Sequence, residues 1–387
     1  MKILFSSLPS HGHTYPLLPL AVAARDQGHE IIYATWDNFH PPLVALGFEV
    51  VRGGGDMNGA FADALAGVER PASGTHAQLD EGVIRAAAVR VFGELLPRAA
   101  VATVRPLIAE RRPDLVVYES GAIGVGIAAR AEGVPALCHG FGRGGGLDEL
   151  PGMKEWLGAL AADNGVEFAI NAGHPGSDPY LDIYPLSAQD PAYAAKYTTR
   201  VPLRPTAFAE PGELPDWVAE HREKLIYLTL GTAFGSSAVM RAAIRGLAAT
   251  GHRVLVAAGP TVPVDSLGAS PDNVTVLPWV PQAEVLPHAD LVAHHGGSGT
   301  TLGTAAAGIP QLFLPQGADQ FINADAITGT GAARQLAGEA QTAKAITALA
   351  GELLTDTAVA ECVRALADEI AAMPSPAETA ATLSTYV

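Results

Sequence analysis

The chain has 387 residues, 48% of them hydrophobic and 17% charged, with 42 glycines, 29 prolines and a formal net charge of −16. That length exceeds what one hydrophobic core normally serves, so two domains are expected, and the composition excludes a disordered or fibrous chain. The acidic balance removes the basic footprint that non-specific nucleic-acid or anionic-membrane binding needs; phosphate ligands stay open, because helix N-termini and backbone amides hold phosphate without net positive charge.

Residues 2–6 read as a buried strand and 16–27 as a helix ended by Gly28. Strands at 30–34 and 49–52 follow, then the run Gly53-Gly54-Gly55 and a helical pattern over about 81–110. A strand at 114–118, a helix at 124–132 and a strand at 135–139 complete the first series. Short apolar strands separated by helices predict parallel βαβ units. Between 180 and 215 the prolines Pro185, Pro191, Pro202, Pro205, Pro211 and Pro215 break the rhythm, which predicts late N-domain structure followed by a linker.

The pattern restarts with strands at 224–230, 253–257, 273–277, 290–293 and 311–314, helices between them, and Ala-rich helices over about 342–383. The fold class is therefore α/β, with two doubly wound, Rossmann-like domains facing across a cleft. The boundaries are 1–205 for the N-terminal domain, 206–222 for a linker, 223–365 for the C-terminal domain and 366–387 for a terminal helix, with a return to the N-domain left open. Ligands of such sheets bind at the C-terminal ends of strands.

Cys138 and Cys362 are the only cysteines, far apart and outside any C-x-x-C pair, so neither a disulfide framework nor a structural zinc site is expected. The N-terminal apolar run reaches a histidine-rich turn by His11, too soon for a signal peptide, and no stretch is long enough to span a bilayer. A soluble, cytoplasmic protein is the expectation.

The most informative segment is Ala293-His294-His295-Gly296-Gly297-Ser298-Gly299-Thr300-Thr301. It follows a strand and opens a helix, so free backbone N–H groups point out of the helix start, and glycines let a ligand approach the backbone. The hydroxyls of Ser298 and Thr300 add donors, and His294 offers another for a phosphate oxygen. This chemistry suits a diphosphate held by a helix terminus instead of by lysine. The alternative is a glycine-rich strand-to-helix turn with incidental histidines, and its neighbours tell against it. Trp279-Val280-Pro281-Gln282 lies upstream, and Gly308-Ile309-Pro310 and Asp319-Gln320 lie downstream.

Together with the opening Ser10-His11-Gly12-His13-Thr14-Tyr15-Pro16-Leu17, this ordered set resembles the family 1 glycosyltransferases over nearly the whole chain. The look is nearest to actinobacterial enzymes that decorate natural products, the calicheamicin type among them. The resemblance implies the two-domain, metal-independent GT-B fold, with acceptor on the N-domain and donor on the C-domain. It implies that Trp279 stacks on the nucleobase, the Val280 backbone reads its edge, and Gln282 closes that donor segment. Around the diphosphate it places Thr232, His294, Gly296, Ser298, Gly299 and Thr300, with Asp319 and Gln320 on sugar hydroxyls. For Trp279 the alternative is a core anchor, and for Asp319 a helix-start residue favoured by the dipole. No cofactor is implied; the nucleotide sugar is a co-substrate, the partners are small molecules, and a homodimer is compatible with this reading.

Sugar transfer to a hydroxyl needs a base, and histidine, with an ordinary pKa of about 6.5, is mostly neutral near pH 7. His13 follows the first strand, and the family's histidine at the matching position is the general base. The alternative is a turn histidine that caps the next helix. The family often supports that histidine with an aspartate after the strand ending near Tyr118; the matching residue here is Glu119, with a mere strand-end carboxylate as the alternative. His11 is expected to be structural or acceptor-facing, since His11-x-His13 has no third metal ligand at readable spacing. Phe141 and Trp156 are candidates for an apolar acceptor wall, beside glycine-rich loops at 53–75 and 141–146.

Two departures from the family pattern stand out. Relatives carry a ribose-binding glutamate near Gly303, where this chain reads Thr301-Leu302-Gly303-Thr304, compatible with a thymidine diphosphate deoxysugar donor. Gly297 replaces the plant-type tryptophan of the phosphate motif. Competing readings are a nucleotide-sugar 2-epimerase of the same fold, a catalytically silent partner protein, and an NAD-dependent oxidoreductase prompted by Gly121-x-x-Gly124-x-Gly126. That last order does not match G-x-G-x-x-G and reads as helix packing.

Overall fold

The computed structural model describes all residues except 69–80, 145–149, 169, 172–173, 176–177, 197–199, 209 and 211. The chain divides into two units: Met1–Asp182, Pro191–Val201 and Pro376–Val387 form unit 1, and Ile183–Asp190 with Pro202–Ser375 form unit 2. Each is a parallel sheet flanked by helices, so the chain is α/β with two Rossmann-like units.

Unit 1 contains β1 (Lys2–Ser6), β2 (Glu30–Thr35), β3 (Glu49–Arg52), β4 (Leu115–Glu119), β5 (Ala136–His139), a two-stranded ribbon of β6 (Ile170–Asn171) and β7 (His174–Pro175), then β8 (Tyr180–Asp182) and β9 (Arg200–Pro202). Its main sheet runs β3-β2-β1-β4-β5-β8-β9. Every residue of β4 is buried, as expected for a central parallel strand covered on both faces. Helix Leu96–Arg111 lays Ala100, Val104 and Ile108 against Val116 and Tyr118 of β4, and Ile123 and Ile127 meet Met153 and Leu157 in a second cluster.

Helical structure begins at His11 rather than at residue 16, in three pieces: His11–Thr14, Tyr15–Leu17 and Leu18–Asp26. Pro16 and Pro19 sit in the first turns of the second and third pieces, where no N–H is required, so they segment the helix instead of starting it. The proline-rich stretch after 180 is more regular than expected. It supplies β8 and β9, and Pro202 is tolerated because β9 is the sheet edge. Within the expected loop 53–75, Met57–Ala64 is a helix capped by Asp56, whose carboxylate accepts from Asn58 N at 3.1 Å. Residues 69–75 of that loop, and 145–146 of the second one, lie outside the described residues.

Unit 2 holds β10 (Leu225–Thr229), β11 (Arg253–Ala257), β12 (Val274–Leu277), β13 (Leu291–His294), β14 (Gln311–Phe313) and β15 (Ala333–Gln335), ordered β12-β11-β10-β13-β14-β15 and parallel throughout. The three-residue edge strand β15 is too short to show a pattern in sequence. Helix Thr357–Ala371 belongs to unit 2, whereas Pro376–Thr382 packs in unit 1, where Gln27 Nε2 donates to Ala377 O at 2.7 Å. No described helix is long and apolar enough to cross a membrane.

Candidate active site

In unit 2 the phosphate-type motif begins on the last two residues of β13, Ala293 and His294, and opens helix Ser298–Ala306. Gly297 is its N-cap and makes no side-chain cap, so the first-turn N–H groups keep the orphan status that helix geometry gives them. An added Cβ at Gly299 would meet nothing within 4 Å, so this helix start opens to a ligand. Gly296 has φ +99°, and a Cβ there would lie 2.7 Å from Gln320 O, so both conformation and space call for glycine.

His294 is fully buried, and both ring nitrogens are committed inside the protein. Gly296 N–H donates to Nδ1 at 3.2 Å, which leaves the proton on Nε2, 2.9 Å from Gln311 Oε1. Burial, with His295 adding to it, lowers the His294 pKa to about 3. A neutral histidine thus shapes the Gly296 turn from inside the protein. The two hydroxyls are also engaged. Ser298 Oγ donates to Asp319 Oδ2 at 3.2 Å, and Thr300 Oγ1 donates to Gln282 Oε1 at 2.7 Å.

Gln320 differs in the same way. Its Oε1 accepts from Gln316 N at 2.7 Å and Gly317 N at 3.1 Å, so the acceptor end expected on a sugar holds its own loop. Asp319 stays half-buried beside the helix start. Trp279 is 45% exposed and so does not anchor the core, while the Val280 side chain is buried with Val285 and Leu286. Thr232 is half-buried, on the turn after β10 whose Gly231 lies against the His295 ring.

Three residues of this site escaped the sequence reading. Asn323 is buried and donates from Nδ2 to Gly296 O at 2.9 Å, to Ser298 Oγ at 3.1 Å and to Asp319 Oδ2 at 3.1 Å, while Tyr184 O–H donates to its Oδ1 at 3.1 Å. Its four-residue spacing from Asp319 puts both on one helix face, a signal available in the sequence. Gln311 links His294 to the Thr301 carbonyl, to which its Nε2 donates at 3.2 Å. His295 packs against both Gly231 and Gly297.

In unit 1, His13 sits on the first helical turn after β1, and its Nδ1 lies 3.1 Å from Glu119 Oε2 at the end of β4. Glu119 is fully buried; its Oε1 accepts from Gly121 N–H and, at 3.5 Å, from Ser120 Oγ. The Phe141 ring lies 4.4 Å from the His13 ring, centroid to centroid. His11 turns instead toward Tyr15 and Phe39, at 4.9 and 5.1 Å. The structure thus groups His13, Glu119 and Phe141. Trp156 is not placed with them, since its ring lies against Gly93 of the π-turn Val91–Leu95. Gly124 packs on Pro97 and Ala100, which is helix packing and not a dinucleotide loop.

A family model described as the erythromycin biosynthesis protein CIII-like C-terminal domain matches residues 244–385. The elloramycin glycosyltransferase ElmGT of Streptomyces olivaceus is 32% identical, over 100% of this chain and 97% of its own. Two solved structures share the fold over 100% of this chain. One is the calicheamicin glycosyltransferase CalG4 (24% identity, 98% of that chain, TM-score 0.80). The other is Streptomyces sp. SF2575 glycosyltransferase SsfS6 with thymidine diphosphate (23% identity, 99% of that chain, TM-score 0.78). With parallel sheets of the GT-B type and full-length identity at this level, the chain belongs to the actinobacterial natural-product glycosyltransferases.

Proposed function

We propose that this glycosyltransferase moves a sugar from a dTDP- or UDP-linked donor onto a hydroxyl of a small natural-product acceptor such as a polyketide or antibiotic aglycone, with inversion and with His13 as the general base. The observation that carries the proposal is the 3.1 Å contact between His13 Nδ1 and the buried Glu119 carboxylate. A carboxylate on Nδ1 leaves Nε2 to take the acceptor's proton and stabilises the imidazolium that forms. The acceptor oxygen attacks the anomeric carbon as the bond from that carbon to the diphosphate oxygen breaks. The electron pair leaves on the diphosphate, and one direct displacement inverts the centre. In unit 2, the backbone N–H groups at the start of helix Ser298–Ala306 would take up the charge that develops on the diphosphate.

Trp279, exposed and aromatic, would stack on the base, and Thr232, Gly296 and Gly299 would border the diphosphate. Ser298, Thr300, Gln282 and His294 would keep the loop in shape for it, and Asp319 would meet sugar hydroxyls. The sequence Thr301-Leu302-Gly303-Thr304 offers no ribose carboxylate, and SsfS6 was solved with thymidine diphosphate; both favour a dTDP donor. The donor acts as a co-substrate, no further cofactor is invoked, and the enzyme would work in the cytoplasm.

Melting temperature with UDP, dTDP, GDP or NAD, each without added metal, tests the donor assignment. Ligands selective for the folded state raise it. A rise with dTDP or UDP supports the proposal, and a response to NAD alone sinks it.

A further inference from the structure

Glu119 stands where the relatives often carry an aspartate, and the extra methylene needs room around a fully buried side chain. Gly121 provides it. A Cβ on Gly121 would lie 3.0 Å from Glu119 Oε1, 3.1 Å from Glu119 Oε2 and 3.0 Å from Leu8 Cδ1. The Gly121 φ is not positive, so an alanine could adopt this backbone, and its methyl would require Glu119 and Leu8 to give by a few tenths of an ångström. The same residue's N–H donates to Glu119 Oε1, while Oε2 faces His13.

We infer that Gly121 is a positioning residue for the His13–Glu119 pair: it anchors one carboxylate oxygen through its N–H and, by lacking a side chain, admits the longer glutamate arm. The inference rests on the reading of His13 as base. Leu8 Cδ1 is the end of a flexible side chain and can yield. The carboxylate is fully buried, and its other oxygen stands at His13, so any shift it makes to admit the methyl alters the contact with the imidazole. An aspartate, shorter by one carbon–carbon bond of about 1.5 Å, would draw back from the new methyl. Glu119 and Gly121 are thus a matched pair.

The test is a double-mutant cycle between Gly121→Ala and Glu119→Asp, read by kcat, by donor KM and by NMR titration of the His13 ring. Gly121→Ala is expected to lower kcat about tenfold or more when Glu119 is kept, and less than about threefold when it is combined with Glu119→Asp, with donor KM little changed. A receding carboxylate also lowers the His13 titration midpoint, because a nearby anion favours the imidazolium. Equal losses in both backgrounds, or an unmoved midpoint in Gly121→Ala, would overturn the inference. If Gly121→Ala fails to fold, recovery of folded protein by adding Glu119→Asp supports the pairing and continued failure refutes it. Full turnover in His13→Ala would sink the base assignment alone, since the titration reads the Gly121–Glu119–His13 linkage without substrate.

Discussion

His294 Nε2 donates to Gln311 Oε1 across neighbouring strands at 2.9 Å, and this bond sets the tautomer of the histidine that opens the phosphate-type loop. Because the proton is on Nε2, Nδ1 is free to accept from Gly296 N–H and hold the turn. Gln311→Leu removes the acceptor and leaves a buried ring N–H unsatisfied. The expected cost is about 1–3 kcal/mol of stability, measured by urea unfolding. Unchanged stability would mean that the bond does not hold the loop.

Asn323 ties the Gly296 carbonyl, Ser298, Asp319 and Tyr184 together from a buried position. Asn323→Leu keeps the branched shape and heavy-atom count and loses every one of these bonds. Nucleotide affinity should drop at least about tenfold, with destabilisation of about 2 kcal/mol or more, because several buried groups lose partners at once. Isothermal titration with dTDP and thermal unfolding read the two effects separately.

Trp279 is 45% exposed, so removing its ring disturbs little packing. Trp279→Ala should weaken nucleotide binding by about 1–3 kcal/mol, the usual worth of stacking on a base, while the melting temperature stays nearly constant. Trp279→Phe should recover most of the affinity. Equal affinity in the alanine variant would remove Trp279 from the donor site.

His13→Ala should lower kcat by about 10²–10⁴, the range for a general base, and leave donor affinity within about threefold. Glu119→Gln should lower kcat less, since the imidazole stays but its imidazolium loses the carboxylate. A larger loss in Glu119→Gln than in His13→Ala would argue that the carboxylate, not the histidine, takes the proton.

Acid should destabilise the fold through its buried histidines. Burial lowers the pKa of His139 to about 4 and of His294 to about 3. His295 is also lowered to about 4 by desolvation, but part of the residue is open to solvent, so the fully buried pair carries the argument. Unfolded, these rings take up protons near pH 6.5, and the native state resists until pH 3–4. The stability they contribute is therefore complete above about 6.5 and lost as pH falls, at about 1.4 kcal/mol per unit per histidine within that window. His139→Gln should flatten the slope between pH 6 and 4 in urea titrations; an unchanged slope would place the acid sensitivity elsewhere.

Sequence alone determined what depends on neighbours along the chain. Apolar runs such as 2–6 and 253–257 read as buried strands, the glycines beyond β13 read as a turn into a helix, and the order of motifs marked the family. It also put His13 at a strand end, because β1 leads directly into that turn. Tertiary structure decided what depends on partners far apart in sequence. Glu119 reaches His13 only because β4 lies beside β1, and Gln311 meets His294 only because β14 lies beside β13. The same pairing fixed which polar groups are spent inside the protein. Ser298, Thr300, His294 and Gln320 all read as ligand-facing from their residue types, and the fold gives each an internal partner that the sequence did not name. Residue type proposes a hydrogen bond; only the packed neighbours determine where it goes.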